Sequence, residues 1–232
     1  MPVHITIAID GYAGCGKSST ARQVARKLNY LFIDSGAMYR SVTLYALRHN
    51  LPYDQDNDQI RAALADIHLT FDYSEGQFLP GISMNGEPVE KAIRTPEVSG
   101  AVSQVATLAS VREAMVDQQR RIAAESGVVM DGRDIGTVVF PHAALKIFMQ
   151  ADLDVRARRR LTELDQQGIN TSLEAVIENL KARDKTDTTR AISPLRKAED
   201  AIVIDTTHLA IEDQVNKVCD LAWERMGQSS PS

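Results

Sequence analysis

Residues 4–18 read His-Ile-Thr-Ile-Ala-Ile-Asp-Gly-Tyr-Ala-Gly-Cys-Gly-Lys-Ser. The first seven, His4 to Asp10, are a short β-branched apolar run, the pattern of a buried strand. A glycine-rich turn follows. From Ser18 to Leu28 the residues Ala21, Val24, Ala25 and Leu28 recur at i, i+3, i+4 and i+7, which predicts a helix. Strand, turn and helix together frame Gly11-Tyr12-Ala13-Gly14-Cys15-Gly16-Lys17-Ser18, a full match to G-x-x-x-x-G-K-[ST] in the setting that motif requires. Its glycines let backbone N–H groups wrap a phosphate, and the helix N-terminus adds partial positive charge. Lys17 is placed to reach β- and γ-phosphates, and Ser18 to offer a hydroxyl to Mg²⁺. Cys15 reads as a loop spacer. The motif specifies a nucleoside triphosphate and leaves the reaction open. The sequence holds no Asn-Lys-x-Asp guanine reader, which argues against a GTPase.

Working outward, four more short apolar runs read as strands: Tyr30–Ile33, Gly127–Asp131, Leu145–Met149 and Ala201–Ile204. Helical patterns fall between them, at 37–49, 152–166 and 171–184, with a last helix carrying Ile211, Val215, Val218, Cys219 and Ala222. Thr95-Pro96-Glu97 predicts a helix start, with Thr as N-cap, Pro in the first turn and an acid at the positive end of the dipole. Ser110-Val111-Arg112-Glu113 reads as a capping box opening another. Residues 67–90 change period: Ile67, Leu69, Phe71 and Tyr73 alternate, and Gly76, Pro80-Gly81 and Asn85-Gly86 supply turns. The expected fold is therefore α/β, a doubly wound five-stranded parallel sheet with a small antiparallel β insert and a helical lid. The expected partition is a core of 1–66, 93–150 and 191–232, an insert at 67–92 and a lid at 151–190.

Composition agrees. The 232 residues are 44% hydrophobic and 25% charged, ordinary for a globular chain. No run of about 20 apolar residues predicts a membrane span, and the N-terminus has neither a basic region nor a cleavage site for secretion. A cytoplasmic location is expected. Two cysteines, Cys15 and Cys219, make neither a disulfide framework nor a four-ligand zinc site. The net charge of −5 argues against coating nucleic acid. Yet 18 of the 26 basic residues are Arg, whose planar fork suits phosphate.

The positions of those arginines point to a second anion. Asp34-Ser35-Gly36-Ala37-Met38-Tyr39-Arg40 follows the second strand; Ser35 can donate at the next helix start, and Arg40 lies one turn in. Arg112 falls in the first turn of a predicted helix, and Gly132-Arg133-Asp134 follows the third strand. All lie near strand ends or helix starts, where ligands of such sheets bind. Asp131, ending Gly-Val-Val-Met, has the position of a carboxylate that holds Mg²⁺ through water, though an acid there can also cap the next turn. Arg156, Arg159 and Arg160 share a helix face. Residues 151–200 carry ten basic and ten acidic side chains. That segment reads either as a solvated, salt-bridged hairpin or as a lid folding arginines over a phosphoryl group, with motion expected at Gly168 and along Thr186–Arg190.

On these residues the chain resembles the bacterial cytidylate kinases, within the nucleoside monophosphate kinases. The resemblance spans nearly the whole chain. It includes Ile9-Asp10-Gly11, Asp34 to Arg40, Ile93-Arg94-Thr95-Pro96-Glu97-Val98, Ser103-Gln104-Val105-Ala106, Val111-Arg112-Glu113, Asp131 to Pro141, Arg183-Asp184, Asp187 and Arg190. It implies transfer of the γ-phosphoryl group of ATP to CMP or dCMP, with UMP or dTMP as the alternative acceptor. ATP would lie on Gly11, Tyr12, Ala13, Gly14, Cys15, Gly16, Lys17, Ser18 and Ser19, with Mg²⁺ on Ser18 and, through water, Asp131. Ser35, Arg40, Arg133 and Arg190 would hold the CMP phosphate; Ser103, Arg112 and Asp134 would read cytosine; Arg183 and Asp187, with Ser103 nearby, would contact the sugar. Lys17, Arg133, Arg156, Arg160 and Arg190 would carry catalysis. Tyr12 departs from a frequent Pro and Ser19 from a frequent Thr. A monomer is the implied state, with no nucleic acid or membrane partner.

Overall fold

The computed structural model describes residues 4–72, 81–123, 127–166 and 168–227. In chain order the elements are β1 (Thr6–Gly11), α1 (Lys17–Leu28), β2 (Leu31–Asp34), α2 (Ser35–Arg48), α3 (Asp58–Asp66), β3 (Leu69–Asp72), β4 (Gly81–Met84), β5 (Glu87–Pro88), α4 (Pro96–Val105), α5 (Ala109–Ile122), β6 (Val128–Gly132), β7 (Leu145–Gln150), α6 (Leu153–Gln166), α7 (Leu173–Thr189), β8 (Ile202–Asp205) and α8 (Ile211–Arg225). Single turns lie at Ala92–Arg94 (3₁₀) and Ile135–Val139 (π). Among the described residues no helix is long and apolar enough to cross a membrane.

The five expected strands form one sheet in the order β2-β6-β1-β7-β8. The pairings of β1 with β6 and β7, and of β7 with β8, are all parallel. The chain divides into two compact units, Met1–Leu31 with Gly127–Ser232, and Phe32–Ser126. In the first, Ile7 and Ile9 of β1 and Val128 to Met130 of β6 are buried, as a strand covered on both faces demands. Gly11 ends β1 at φ +147°, and a Cβ there would lie 1.9 Å from the Met149 carbonyl oxygen of β7. Only glycine lets the chain turn away while staying that close to its neighbour. Gly16, also left-handed at φ +93°, then starts α1.

In the second unit, Asp34 caps α2 by accepting from the Ala37 N–H at 2.9 Å, and Thr95 caps α4 by accepting from Val98 N–H. The expected antiparallel insert is present as β3-β4-β5. Asn85 (φ +54°) and Gly86 (φ +82°) join β4 to β5 with both central residues left-handed, as a tight hairpin turn requires. Tyr73, Gly76 and Pro80 lie outside the described residues, as do 228–232.

Two local expectations change, and one helix is added. The helix containing Arg112 starts at Ala109, and Leu108 caps it without a side-chain bond. Ser110 is inside the first turn, where its backbone N–H and its hydroxyl both donate to the Asp56 carboxylate. A residue 54 positions away does the capping that Ser110 seemed placed to do. Helix α7 runs on through Thr189, past the expected end at 184. The run expected to be loose is thus helical, and Thr186, Thr188 and Thr189 satisfy their hydroxyls within it, each on the carbonyl four residues back. Helix α3 was not legible: it is short, buries only Ile60 and Ala63, and is capped by Asn57 accepting from Ile60 N–H.

Replacing Asp56 by Ala should cost about 1 kcal/mol, the usual worth of an N-cap, seen as a lowered thermal midpoint. Asp56→Asn, which keeps an acceptor, should lose less. Equal midpoints for the wild type and Asp56→Ala would show that the carboxylate does not hold α5.

Candidate active site

The first unit holds the phosphate cradle. β1 and β6 both end in Asp-Gly, with Asp10 opposite Gly132 and Ile9 opposite Asp131. Asp131 is buried, and its Oδ2 accepts from the Ser18 hydroxyl at 2.6 Å. A hydroxyl and a carboxylate converging at the start of α1 are the hard oxygen donors that Mg²⁺ takes alongside substrate phosphates, so the residues fit that ion. Lys17 is buried, and its ammonium donates to the Tyr12 carbonyl at 2.6 Å. Burial, and then the positive Arg133 nearby, lower its pKa.

A second cluster lies in the same unit. Arg133 Nε donates to Asp187 Oδ2 at 2.7 Å. Arg190 pairs with Asp134 at 3.4 Å and lies 3.9 Å from Asp187, and its Nε donates to the Ser193 carbonyl at 2.7 Å. The structure therefore brings Arg133, Asp134, Asp187 and Arg190 together as one charge network, with both carboxylates buried and both arginines partly buried. Burial opposes ionisation of Asp187, but Arg133, and then Arg183 and Arg190, outweigh it and hold the carboxyl below its ordinary range. Arg183 is half-buried on α7.

The arginines of α6 have three different surroundings. Arg160 is half-exposed and pairs with Glu163 at 3.0 Å. Arg159 donates to the Thr206 carbonyl at 2.6 Å. Arg156, expected over the transferred phosphoryl group, is buried and turned onto the Ala13 carbonyl and Asp184.

In the second unit Ser35 is buried at the first position of α2, and Arg40 pairs with Asp34 at 2.9 Å. Burial pushes the Asp34 carboxyl up, yet Arg40 and Arg94 outweigh it and the net shift is downward. Arg112 is buried, donates to the Ala106 carbonyl at 3.1 Å and stands 5.4 Å over the Tyr39 ring. Ser103 is half-buried on α4.

Asp10 went unread as a site residue, although it carries the same signal as Asp131, an acid ending an apolar strand. Its two carboxylate oxygens accept from Ile135 N–H at 2.8 Å and Gly136 N–H at 2.7 Å. It thereby ties the root of the phosphate loop to the π-turn that follows Arg133 and Asp134. Burial pushes its pKa up to about 6, against the two backbone bonds, and Asp134 adds to the rise while Lys17 opposes it.

A family model for cytidylate kinase matches residues 7–224. The cytidylate kinase of Bacteroides fragilis is 48% identical over 212 residues, covering 90% of this chain and 93% of that protein. Those of Phocaeicola vulgatus and Porphyromonas gingivalis are each 49% identical, covering 90% of this chain and 93% and 92% of theirs.

The raised pKa of Asp10 has a sign. Its protonation contributes stability that is full below about 4, the unfolded value, and is lost as pH rises through about 6. Asp10→Asn lacks this titration. Its thermal midpoint relative to the wild type should therefore shift upward between pH 5 and pH 8; a constant difference across that window would contradict the assignment.

Proposed function

The chain belongs to the cytidylate kinase family, and from that premise we propose how its residues divide the work of the reaction. It is an ATP-dependent nucleoside monophosphate kinase that transfers the γ-phosphoryl group of ATP to CMP or dCMP, giving ADP and CDP or dCDP. The observation that supports this division best is geometric: Asp131, which binds the Ser18 hydroxyl of the phosphate loop, stands two residues before Arg133, and Arg133 is linked through Asp187 to Arg190.

In this reading the residues Gly11 to Ser19 seat the triphosphate. Ser18 and Asp131 would hold Mg²⁺, the latter through water, and the ion would supply neutralising charge to the triphosphate. Ser35, Arg40, Arg133 and Arg190 take the phosphate of CMP. That phosphate is already a nucleophile at neutral pH, so no side chain need act as general base. The arginines and Lys17 cancel negative charge as the two phosphates approach in line, and their fixed placement supplies orientation. Arg160, half-exposed on α6, is held by a surface pair with Glu163, which a phosphate can replace at little cost. Residues 151–190 act as the lid that excludes water, which would otherwise accept the phosphoryl group, and residues 67–92 serve as the insert on the monophosphate side.

Base choice follows from cytosine's edge, a 4-amino donor beside the N3 and O2 acceptors. Asp134 accepts from the amino group, while Arg112 and Ser103 donate to the acceptors. Uracil presents a carbonyl where the amino group was, and a carboxylate repels it. Arg183 and Asp187, with Ser103 nearby, contact the sugar.

A coupled ADP-release assay over CMP, dCMP, UMP, AMP, GMP and dTMP tests this. CMP and dCMP should be the fast acceptors, and Lys17→Ala should lower CMP-dependent turnover by about a thousandfold. Asp134→Ala should raise KM for CMP far more than KM for ATP. Equal turnover of UMP and CMP by the wild type would overturn the roles given to Asp134, Arg112 and Ser103.

A further inference from the structure

The α6–α7 arm is fastened to the phosphate loop by contacts that phosphoryl transfer itself does not call for. The Ala13 methyl is buried in an apolar cluster with Ala157 of α6 and Val176 and Leu180 of α7. Above it, Arg156 Nη1 donates to the Ala13 carbonyl at 3.0 Å and meets Asp184 Oδ2 of α7 at 2.8 Å. Arg156 Nε donates to the Ala151 carbonyl at 3.0 Å, and the guanidinium stands 5.3 Å over the Tyr12 ring. The arm also backs directly onto Gly14, where a Cβ would lie 3.2 Å from the Arg156 carbonyl oxygen and 3.3 Å from its Cβ.

Arg156 therefore grips two consecutive loop residues, the ring of Tyr12 and the carbonyl of Ala13. The Tyr12 carbonyl in turn takes the Lys17 ammonium and the Cys15 thiol. The shape of this short stretch decides where Lys17 stands and which way the loop's N–H groups face. Arg156 is only 6% exposed. To reach a phosphoryl group it would have to leave a buried carbonyl and a largely buried carboxylate without their cation, a strongly unfavourable exchange. Asp184 has one buried oxygen, Oδ1, without a hydrogen-bond partner among the described residues, while its Oδ2 meets Arg156.

We infer that Arg156 and Asp184 form a clamp that holds the phosphate loop in its ATP-binding shape, making both of them positioning residues for the triphosphate rather than groups on the transferred phosphoryl. The arm's packing on Ala13 makes it a strap on the loop as well as a cover. This rests on the kinase reading, which ADP release by the wild type with CMP checks separately.

The test is steady-state kinetics of Arg156→Lys, Asp184→Asn and the double variant, with thermal melts for each. The clamp predicts that each single variant raises KM for ATP by about tenfold while KM for CMP and kcat at saturating ATP stay within about threefold. Because the two side chains act as one unit, the double variant should be no worse than the poorer single variant. Three results would overturn the inference. One is a fall in kcat for Arg156→Lys with KM for ATP unchanged and Asp184→Asn unaffected, which places Arg156 on the phosphoryl group. Another is an equal rise in both KM values. The third is failure of both single variants to fold, which makes the pair a support of the core.

Discussion

An arginine withdrawn from water needs a partner charge, and a folded chain must hold the two together before any anion arrives. This protein does so within each of its two units by pairing wholly or partly buried arginines with carboxylates. Arg133 has Asp187, Arg190 has Asp134 and Asp187, Arg40 has Asp34, and Arg156 has Asp184. Removing either member of such a pair leaves an uncompensated buried charge, so each pair is fixed in place by the cost of breaking it. Residues 151–200 match this pattern in bulk, with ten basic and ten acidic side chains.

The sheet sets where these pairs stand. β1 and β6 are neighbours, both end in Asp-Gly, and the two acids serve different ends. Asp131 faces a hydroxyl and makes an oxygen site; Asp10 faces two backbone N–H groups and makes a joint. Gly136 follows that joint closely, since a Cβ on it would press on Lys146 and Asp10. Lys146 itself donates to the Pro141 carbonyl and to Asp200, so the segment after Arg133 and Asp134 is held from two strands. Precision at the Arg133–Asp134 turn is thus built from the sheet outward, on elements rather than on a free loop.

Much of this was legible in the residues. The strands are short apolar runs, rich in β-branched side chains at β1, β6 and β8, and the phosphate loop announces itself by glycines held at φ +147° and +93°. Asn85-Gly86 marked its turn for the same reason. What was not legible depended on contacts distant in sequence. Nothing near Ser110 says that Asp56 will cap α5, so a local capping box was the natural reading. The threonines of 186–189 look like a loop until their hydroxyls find the carbonyls behind them. Arg156, Arg159 and Arg160 share a helical face by spacing, but their long side chains diverge onto Ala13, Thr206 and Glu163. Spacing places a Cα; the partner within reach decides what a guanidinium does.

The central claim is that paired, preplaced arginines make a seat for the acceptor's phosphate. Titration calorimetry of CMP and of cytidine, each against the wild type and Arg190→Gln, addresses it most directly. The account predicts that CMP binds the wild type about a hundredfold or more tighter than cytidine, and that this gap narrows to about tenfold in Arg190→Gln while cytidine binding changes little. A variant that loses both ligands equally, or a wild type that binds cytidine as tightly as CMP, would contradict it.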